Sequence, residues 1–345
     1  MHMADALISP AVGGTAWAAT AGLIGYSSRK LRDGMDDRRI PLMAVLGAFI
    51  FAAQMINFTI PATGSSGHLG GGLLLAILLG PYAGFLTLAS VLVIQALFFA
   101  DGGLLALGCN IFNLGFFPCL VIYPLLYRRI AGDHHRKWMV VTGAMVGAVV
   151  SVQLGSLAVV TQTFLSGISE LPFRTFALVM QPIHLAIGLV EGLATIVVIL
   201  FVLKARPEIL KAQVSSAARA RSLSLRGLAA GILIAAMVIG AGLSWFASKY
   251  PDGLEWSVLR VAESEMVKEP QGKVHRSLAD LQKKTAILPD YSFDKGTQRT
   301  GAGEGSAAWP SAEIATSISG IVGGMLTLLF AGVMWLFLKR RRFRV

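Results

Sequence analysis

Eight apolar stretches, at roughly 10–28, 41–58, 69–100, 103–127, 138–165, 176–203, 225–247 and 314–338, alternate with loops that concentrate the basic residues. A hydrocarbon layer about 30 Å thick takes about 20 helical residues, so most of these stretches are one span each. The stretch 69–100 is too long for one span, and Gly80-Pro81 in its centre "LGPYAG" breaks a helix. Charge fixes the count. The loop 29–39 carries Arg29, Lys30, Arg32, Arg38 and Arg39, and the loop 128–137 carries Arg128, Arg129, Arg136 and Lys137. Both belong on the cytoplasmic side, so an even number of spans separates them. The stretches 41–58 and 103–127 supply two, and 69–100 must supply two more as a helical hairpin. The basic segment Lys204 to Arg226 and the terminal "KRRRFRV" fall on the same side.

The expectation is an all-α polytopic membrane protein of nine helices in the cell's inner (plasma) membrane, N-terminus outside and C-terminus cytoplasmic. Residues 1–204 form a seven-helix bundle, 205–224 a cytoplasmic linker, and 225–345 a two-helix unit around a large external loop, 249–312. Within that loop "GTQRTGAGEGSAAWPS" has the composition of a mobile segment. The net charge of +11 does not mark a nucleic-acid binder. Only 14% of residues are charged, against about 25% in soluble domains, and the basic ones sit in short loops between spans. Cys109 and Cys119 both lie within an apolar segment, which speaks against a disulfide framework and against a Cys-x-x-Cys zinc site.

The chain opens "MHMADALISP" with no basic residue before Arg29, unlike a signal peptide, so this terminus is expected to be retained. With the N-terminus outside, His2 shares the external face with the loop "NFTIPATGSSGHLGGG" and its His68. The amine of Met1, the amide nitrogen of residue 2 and Nδ1 of His2 can close a five-membered and a six-membered chelate ring on one ion. Three nitrogens are then nearly coplanar, and the imidazole of His68 completes a square. A tetragonal all-nitrogen set selects Ni(II) or Cu(II) over zinc, magnesium or calcium. Amide and imidazole must lose protons, so binding weakens on acidification. A residue ahead of Met1 would remove the first ligand. A second-position histidine is usually incidental, and a loop histidine beside glycines is usually only hydrogen-bonded; it is their shared face that makes a site.

Polar residues inside spans each call for a partner. His184 and Glu191, two helical turns apart, share a helix face. They form a relay, stand behind the ligands, or simply hydrogen-bond neighbouring helices. Asn57, Gln95, Asn110 and Asn113 are packing donors that can orient the His68 loop, in which Ser66 also lies; Asp101 reads as a cap at an external helix end. His134 and His135 fall on the cytoplasmic side, and His275 lacks ligand-spaced partners. Met3, Met35, Met43 and Met55 make no thioether cluster. Ala44, Ala48 and Ala52 form a small-xxx-small stripe that serves internal packing or close helix docking.

From His68 onward, "SSGHLGGGLLLAILLGPYAGFLTLASVLVIQALFFADGGLLALGCNIFNLGF" closely resembles the CbiM/NikM family, the substrate-capture (S) subunits of energy-coupling-factor transporters for cobalt and nickel. The resemblance covers nearly all of 1–204, including the Met-His start and "HLAIGLVEGLAT" at 184–195. "YPDGLEWS" at 250–257 resembles the PDGLE-type NikN component, so the chain looks like a NikMN-type fusion. The positions after Met-His are looser than the family's pattern, but residue 3 supplies no ligand. The resemblance implies Ni(II) or Co(II) as transported substrate, held by the Met1 amine, the His2 amide and ring, and His68. It also implies a coupling transmembrane subunit of NikQ/CbiQ type and ABC ATPases of NikO/CbiO type as partners, with Ala44, Ala48 and Ala52 as docking face. No Gly-x-x-x-x-Gly-Lys-Ser/Thr stretch and no catalytic constellation is present, so the chain reads as a non-catalytic subunit that binds no nucleotide. The rival class is a self-sufficient secondary transporter with His184 and Glu191 as a proton-coupled path; an enzyme of cobalamin synthesis is the weakest reading.

Overall fold

The first apolar stretch forms α1 (Pro10–Gly34), with Pro10 at the first helical position, where a missing N–H costs nothing. The computed structural model describes residues 1–34, 40–132, 136–206, 224–262, 272–293 and 314–342. His134, His135, most of the expected linker 205–224 and the stretch "GTQRTGAGEGSAAWPS" lie outside the described residues. After α2 (Ile40–Gln54) come two three-residue strands, β1 (Phe58–Ile60) and β2 (Ser65–Gly67), paired antiparallel with Phe58 opposite Gly67. Then follow α3 (Gly72–Leu79), α4 (Pro81–Phe99), α5 (Leu107–Ala131), α6 (Lys137–Ser166) and α7 (Phe173–Ala205). The C-terminal part contributes α8 (Leu225–Ala241), two shorter helices α9 (Gly253–Val261) and α10 (Lys273–Thr285), and α11 (Ile314–Arg342).

The protein is an all-α polytopic membrane protein. Among the described residues, α4, α5, α6, α7 and the 314–333 portion of α11 are long and apolar enough to cross a bilayer, and α2 and α8 are shorter apolar helices. The middle of α5, Phe112–Tyr127, is wound more widely as a π-helix with Pro118 and Pro124 inside it, where each proline removes one ladder donor. Gly188 and Gly192 let α7 lie directly against Val149 and Met145 of α6.

The stretch 69–100 bends at Gly80-Pro81, with Gly80 at φ +90° and Pro81 opening α4. Its two arms are unequal, which corrects the expectation of two full spans. The first arm, α3, has eight residues and is about 12 Å long, less than half a hydrocarbon thickness. The preceding chain is extended and looped because it is tied down by side chains of neighbouring helices. Irregular backbone is tolerated where surrounding protein satisfies its main-chain groups.

The alanine stripe of α2 also differs from expectation. Ala48 and Ala52 are each 1% exposed, and Ala44 is half-buried. Ala52 meets Gly240 of α8, Ala48 faces Gly324 of α11, and Gly47 lies against Thr327 of α11. Small residues on three helices draw the C-terminal pair onto α2, so the face expected to dock another subunit is covered within the chain. An exposed face of small residues occurs instead on α1, at Gly14, Ala18, Gly22 and Gly25.

α8 and α11 cross at Gly240 and Gly320, where a Cβ on Gly320 would overlap the Gly240 main chain. Gly320→Ala therefore costs about 1–3 kcal/mol through overpacking. The effect is read as a lowered unfolding temperature of the detergent-solubilised chain. Gly332→Ala, at a position with nothing within 4 Å, leaves that temperature unchanged or slightly raised.

Candidate metal centre

The first eight residues are threaded into one end of the bundle rather than lying on it. The Met3 main-chain N–H donates to Asn110 Oδ1 at 2.8 Å. Its carbonyl accepts from Asn110 Nδ2 at 3.2 Å and from the Gly103 N–H at 2.9 Å. Asn110 thus supplies the two bonds that a paired strand would supply. The Asp5 carboxylate accepts from the Ala106 N–H at 2.9 Å, and His275 Nε2–H donates to the Ile8 carbonyl at 2.9 Å. Met3, Leu7 and Ile8 are buried among Leu105, Val159, Phe176 and Met180. Gly103 has no room for a Cβ, which would collide with the Asp5 carboxylate. The run "ADGGLLALGCN" is thereby explained: its glycines admit the chain terminus and its asparagine holds it.

The His68 loop is anchored from the opposite side. Both carboxylate oxygens of Glu191 on α7 accept main-chain N–H groups, from Gly70 at 2.8 Å and Gly71 at 3.0 Å. An anion at the start of α3 satisfies orphan donors there and complements the positive helix end. Gln54 Nε2 donates to the Gly70 carbonyl at 2.8 Å. Gly71 takes φ +75°, a left-handed conformation that a side chain would strain. On the outer edge, the Ser66 N–H donates to the Pro251 carbonyl at 2.8 Å and Ser66 Oγ–H to the Tyr250 carbonyl at 2.8 Å.

These anchors bring two chain segments together. The Met1 amine stands 2.8 Å from His68 Nε2 and 3.0 Å from Asp252 Oδ2, while Asp252 Oδ2 is 3.7 Å from His68 Nε2. His68 Nδ1–H donates to the Leu69 carbonyl at 3.2 Å, which leaves Nε2 as the lone-pair nitrogen turned to the amine. The His2 and His68 rings lie nearly parallel, 4° apart with centroids 4.9 Å apart. His2 Nδ1 faces Asp101 Oδ1 at 3.1 Å, and its Nε2 is buried without a hydrogen-bond partner. Tyr291 Oη–H donates to the other Asp101 oxygen at 2.6 Å. Beneath the amine is a cavity of about 10 Å³, room for about one water, lined by Met1, His68, Glu191 and Asp252 among others.

Burial favours the neutral carboxyl at Asp252, but the adjacent Met1 ammonium, helped by the Glu255 N–H bond, outweighs it and holds the group well below the usual carboxylate range. Asp101 behaves alike: burial would raise it, while His2 and the Tyr291 hydroxyl bring it down. Burial, and then the amine's charge, push His68 below the usual imidazole range, favouring the neutral, ligating form.

The structure thus gathers Met1, His2 and His68, with Ser66 and Glu191 fixing the loop that carries His68. Asn57 does not join them; its main-chain carbonyl accepts from the Ser248 N–H at 2.6 Å. His184 is buried beneath the "PDGLE" turn, its Nδ1–H given to the Met180 carbonyl at 2.8 Å, and it is not bonded to Glu191. Asn113 pairs with Gln162 at 2.8 and 2.9 Å rather than with the loop. Asp252 and Tyr291 were not singled out from sequence. The quoted "PDGLE" was the available signal, an acid in a turn-forming context. Among the described residues no three His, Cys, Asp or Glu side chains already stand as a ligand cluster.

Because Gly103 admits the terminal segment, Gly103→Leu should expel it. The Met1 residue, 7% exposed, then becomes reactive toward an amine-directed label under conditions where the native chain resists it. Equal labelling of both proteins would contradict the threaded terminus.

Residues 2–209 match the family described as CbiM, cobalt uptake substrate-specific transmembrane region, and residues 226–340 match the PDGLE domain. The fused nickel transport protein NikMN of Rhodobacter capsulatus is 30% identical over 259 residues, covering 71% of this chain and 74% of that protein. A protein of Haloquadratum walsbyi, provisionally named as a metal transport protein, is 36% identical over 213 residues, 62% of this chain and 94% of its own length. A crystal structure of a transition metal transporter superposes with a TM-score of 0.53 at 30% identity, covering 59% of this chain and 93% of the other. The chain belongs to the CbiM family and carries a PDGLE domain fused behind it.

Proposed function

We propose that the protein is the metal-capturing subunit of an ATP-dependent energy-coupling-factor importer for Ni(II) or Co(II). The observation that carries this reading is the 2.8 Å approach of the Met1 amine to His68 Nε2, with His68 Nδ1–H held by a main-chain carbonyl. Two nitrogens bound side by side to one ion at about 2.0–2.1 Å stand about 2.8–3.0 Å apart. A ligating histidine whose other nitrogen donates to a carbonyl is the usual way a protein fixes tautomer and ring orientation. The His2 amide and Nδ1 complete the square once the ring exchanges its Asp101 contact for the ion. The names of the relatives favour nickel and cobalt as the substrates.

In this proposal residues 1–204 are the capture unit, 205–224 a cytoplasmic linker, and 225–345 a two-helix unit whose external segment 249–312 helps load or open the site. The N-terminus faces outward and the C-terminus faces the cytoplasm. Energy comes from a coupling membrane subunit and separate ABC ATPases, which drive reorientation and release of the ion inside. A proton path through His184 and Glu191 draws no support from the geometry. Both Glu191 oxygens are committed to the Gly70 and Gly71 amides, and His184 Nδ1–H to a carbonyl.

His2→Ala, His68→Ala and a single residue added before Met1 should each lower the nickel retained by the purified chain to about a tenth or less, with helix content unchanged. Metal content by mass spectrometry is the readout, and near-normal retention in any of the three would refute the site. Uptake by cells should require co-expression of the coupling and ATPase subunits. Undiminished uptake without them would favour a gradient-driven carrier.

A further inference from the structure

The PDGLE turn comes closer to the candidate ligands than a passive lid would. Its Asp252 is fixed by bonds that leave one oxygen free to point inward. Asp252 Oδ1 accepts the Leu254 and Glu255 N–H groups at 2.9 and 2.8 Å, capping α9. The Pro251 carbonyl holds Ser66 beside His68, and Gly253 has no room for a Cβ against Ile183, Ile187 and His184 of α7. Oδ2 is therefore aimed at the Met1 amine and His68 Nε2, at 3.0 and 3.7 Å.

The amine, His68 Nε2 and Asp252 Oδ2 form a triangle with edges of 2.8, 3.0 and 3.7 Å. A point about 2.1 Å from all three corners lies just outside the plane of that triangle, and this is the bond length of N and O donors to a divalent transition ion. The geometry points to Asp252 as a ligand of the transported ion, an oxygen lent by the PDGLE domain to the nitrogen set of the CbiM part. It rests on the metal-site reading above and deepens it. Four nitrogens alone impose a plane; an oxygen above that plane makes a five-coordinate, mixed N/O site. The fused domain then controls coordination number, and lifting the PDGLE turn removes one bond before the ion moves on. Ion loading replaces the N–H bonds that the amine gives to Asp252 and His68 with bonds to the metal. The displaced protons leave to solvent.

The test adds Ni(II) alone to the purified, metal-stripped full chain, followed by optical and X-ray absorption and by magnetic susceptibility. The native chain should hold paramagnetic, five-coordinate nickel with one oxygen donor. Asp252→Asn, which keeps the α9 cap, should turn it planar and diamagnetic and weaken binding on the order of tenfold. Asp252→Ser, which caps α9 but cannot reach the ion, should do the same. Planar diamagnetic nickel in the native chain, or an unaltered spectrum in both variants, would show Asp252 to be only an ion-pair partner of the amine and would overturn the inference. A native chain that takes up no nickel, or a His68→Ala chain that binds it normally, would instead sink the underlying nitrogen site and this inference with it.

Discussion

Two irregular segments, a chain terminus and a glycine-rich loop, sit where a helical bundle would ordinarily offer their backbone no partners. Everything at the candidate centre depends on side chains that satisfy that backbone. Glu191 takes the Gly70 and Gly71 amides, Gln54 donates to the Gly70 carbonyl, Asn110 pairs with both main-chain groups of Met3, and Asp5 takes the Ala106 amide. An unpaired buried main-chain group costs about as much as a lost hydrogen bond. Without these residues the terminus and the loop would have to leave the bundle for water. The buried carboxylate of Glu191 is thus best understood as an anchor at the start of the short helix α3.

The C-terminal part bears on the same place from above. His275 holds the Ile8 carbonyl, Gln282 Nε2 donates to the Ala96 and Gly102 carbonyls at 2.9 and 2.7 Å, and the Ile287 and Leu288 N–H groups reach the Phe98 carbonyl. Asp252 and Tyr291 then reach the amine and, through Asp101, the His2 ring. A carboxylate beside a nearly buried ammonium is strongly coupled, because removing either partner leaves an uncompensated charge in poor solvent. The PDGLE sequence follows from this position. Proline and aspartate build a turn that caps α9 and faces the amine, glycine permits contact with α7, and Leu254 is buried beside Phe176 and Met180.

Several features were legible before any coordinates. Gly80-Pro81 marked the bend between α3 and α4, and the Met-His start with His68 marked the two segments that meet. These are local signals, carried by covalent chemistry and helix geometry. Other features were not legible. The alanine stripe of α2 matched a docking face, but a small-residue stripe does not name its partner. Here the partners are Gly240 and Gly324, nearly two hundred residues or more away in sequence. His275 has no ligand-spaced partners in the sequence, and the carbonyl of Ile8 that it binds is a main-chain partner that sequence does not display. The length of α3 was overestimated because leucines continue the apolar pattern while the loop before it is held by a residue on another helix.

By itself, the sequence determined that the chain lies in a membrane and that its apolar stretch 69–100 breaks at Gly80-Pro81, and it marked the terminus and the histidine loop as the segments to watch. Hydrophobic length, proline and glycine stereochemistry and the run of ionisable groups act over a few residues and can be read directly. Tertiary structure alone decided that Asp252 faces the first amine, that Asp101 and Tyr291 hold the His2 ring, and that the C-terminal helices cover α2. Those outcomes depend on which distant main-chain groups and charges lack water and must find each other, and no local pattern in the chain encodes that pairing.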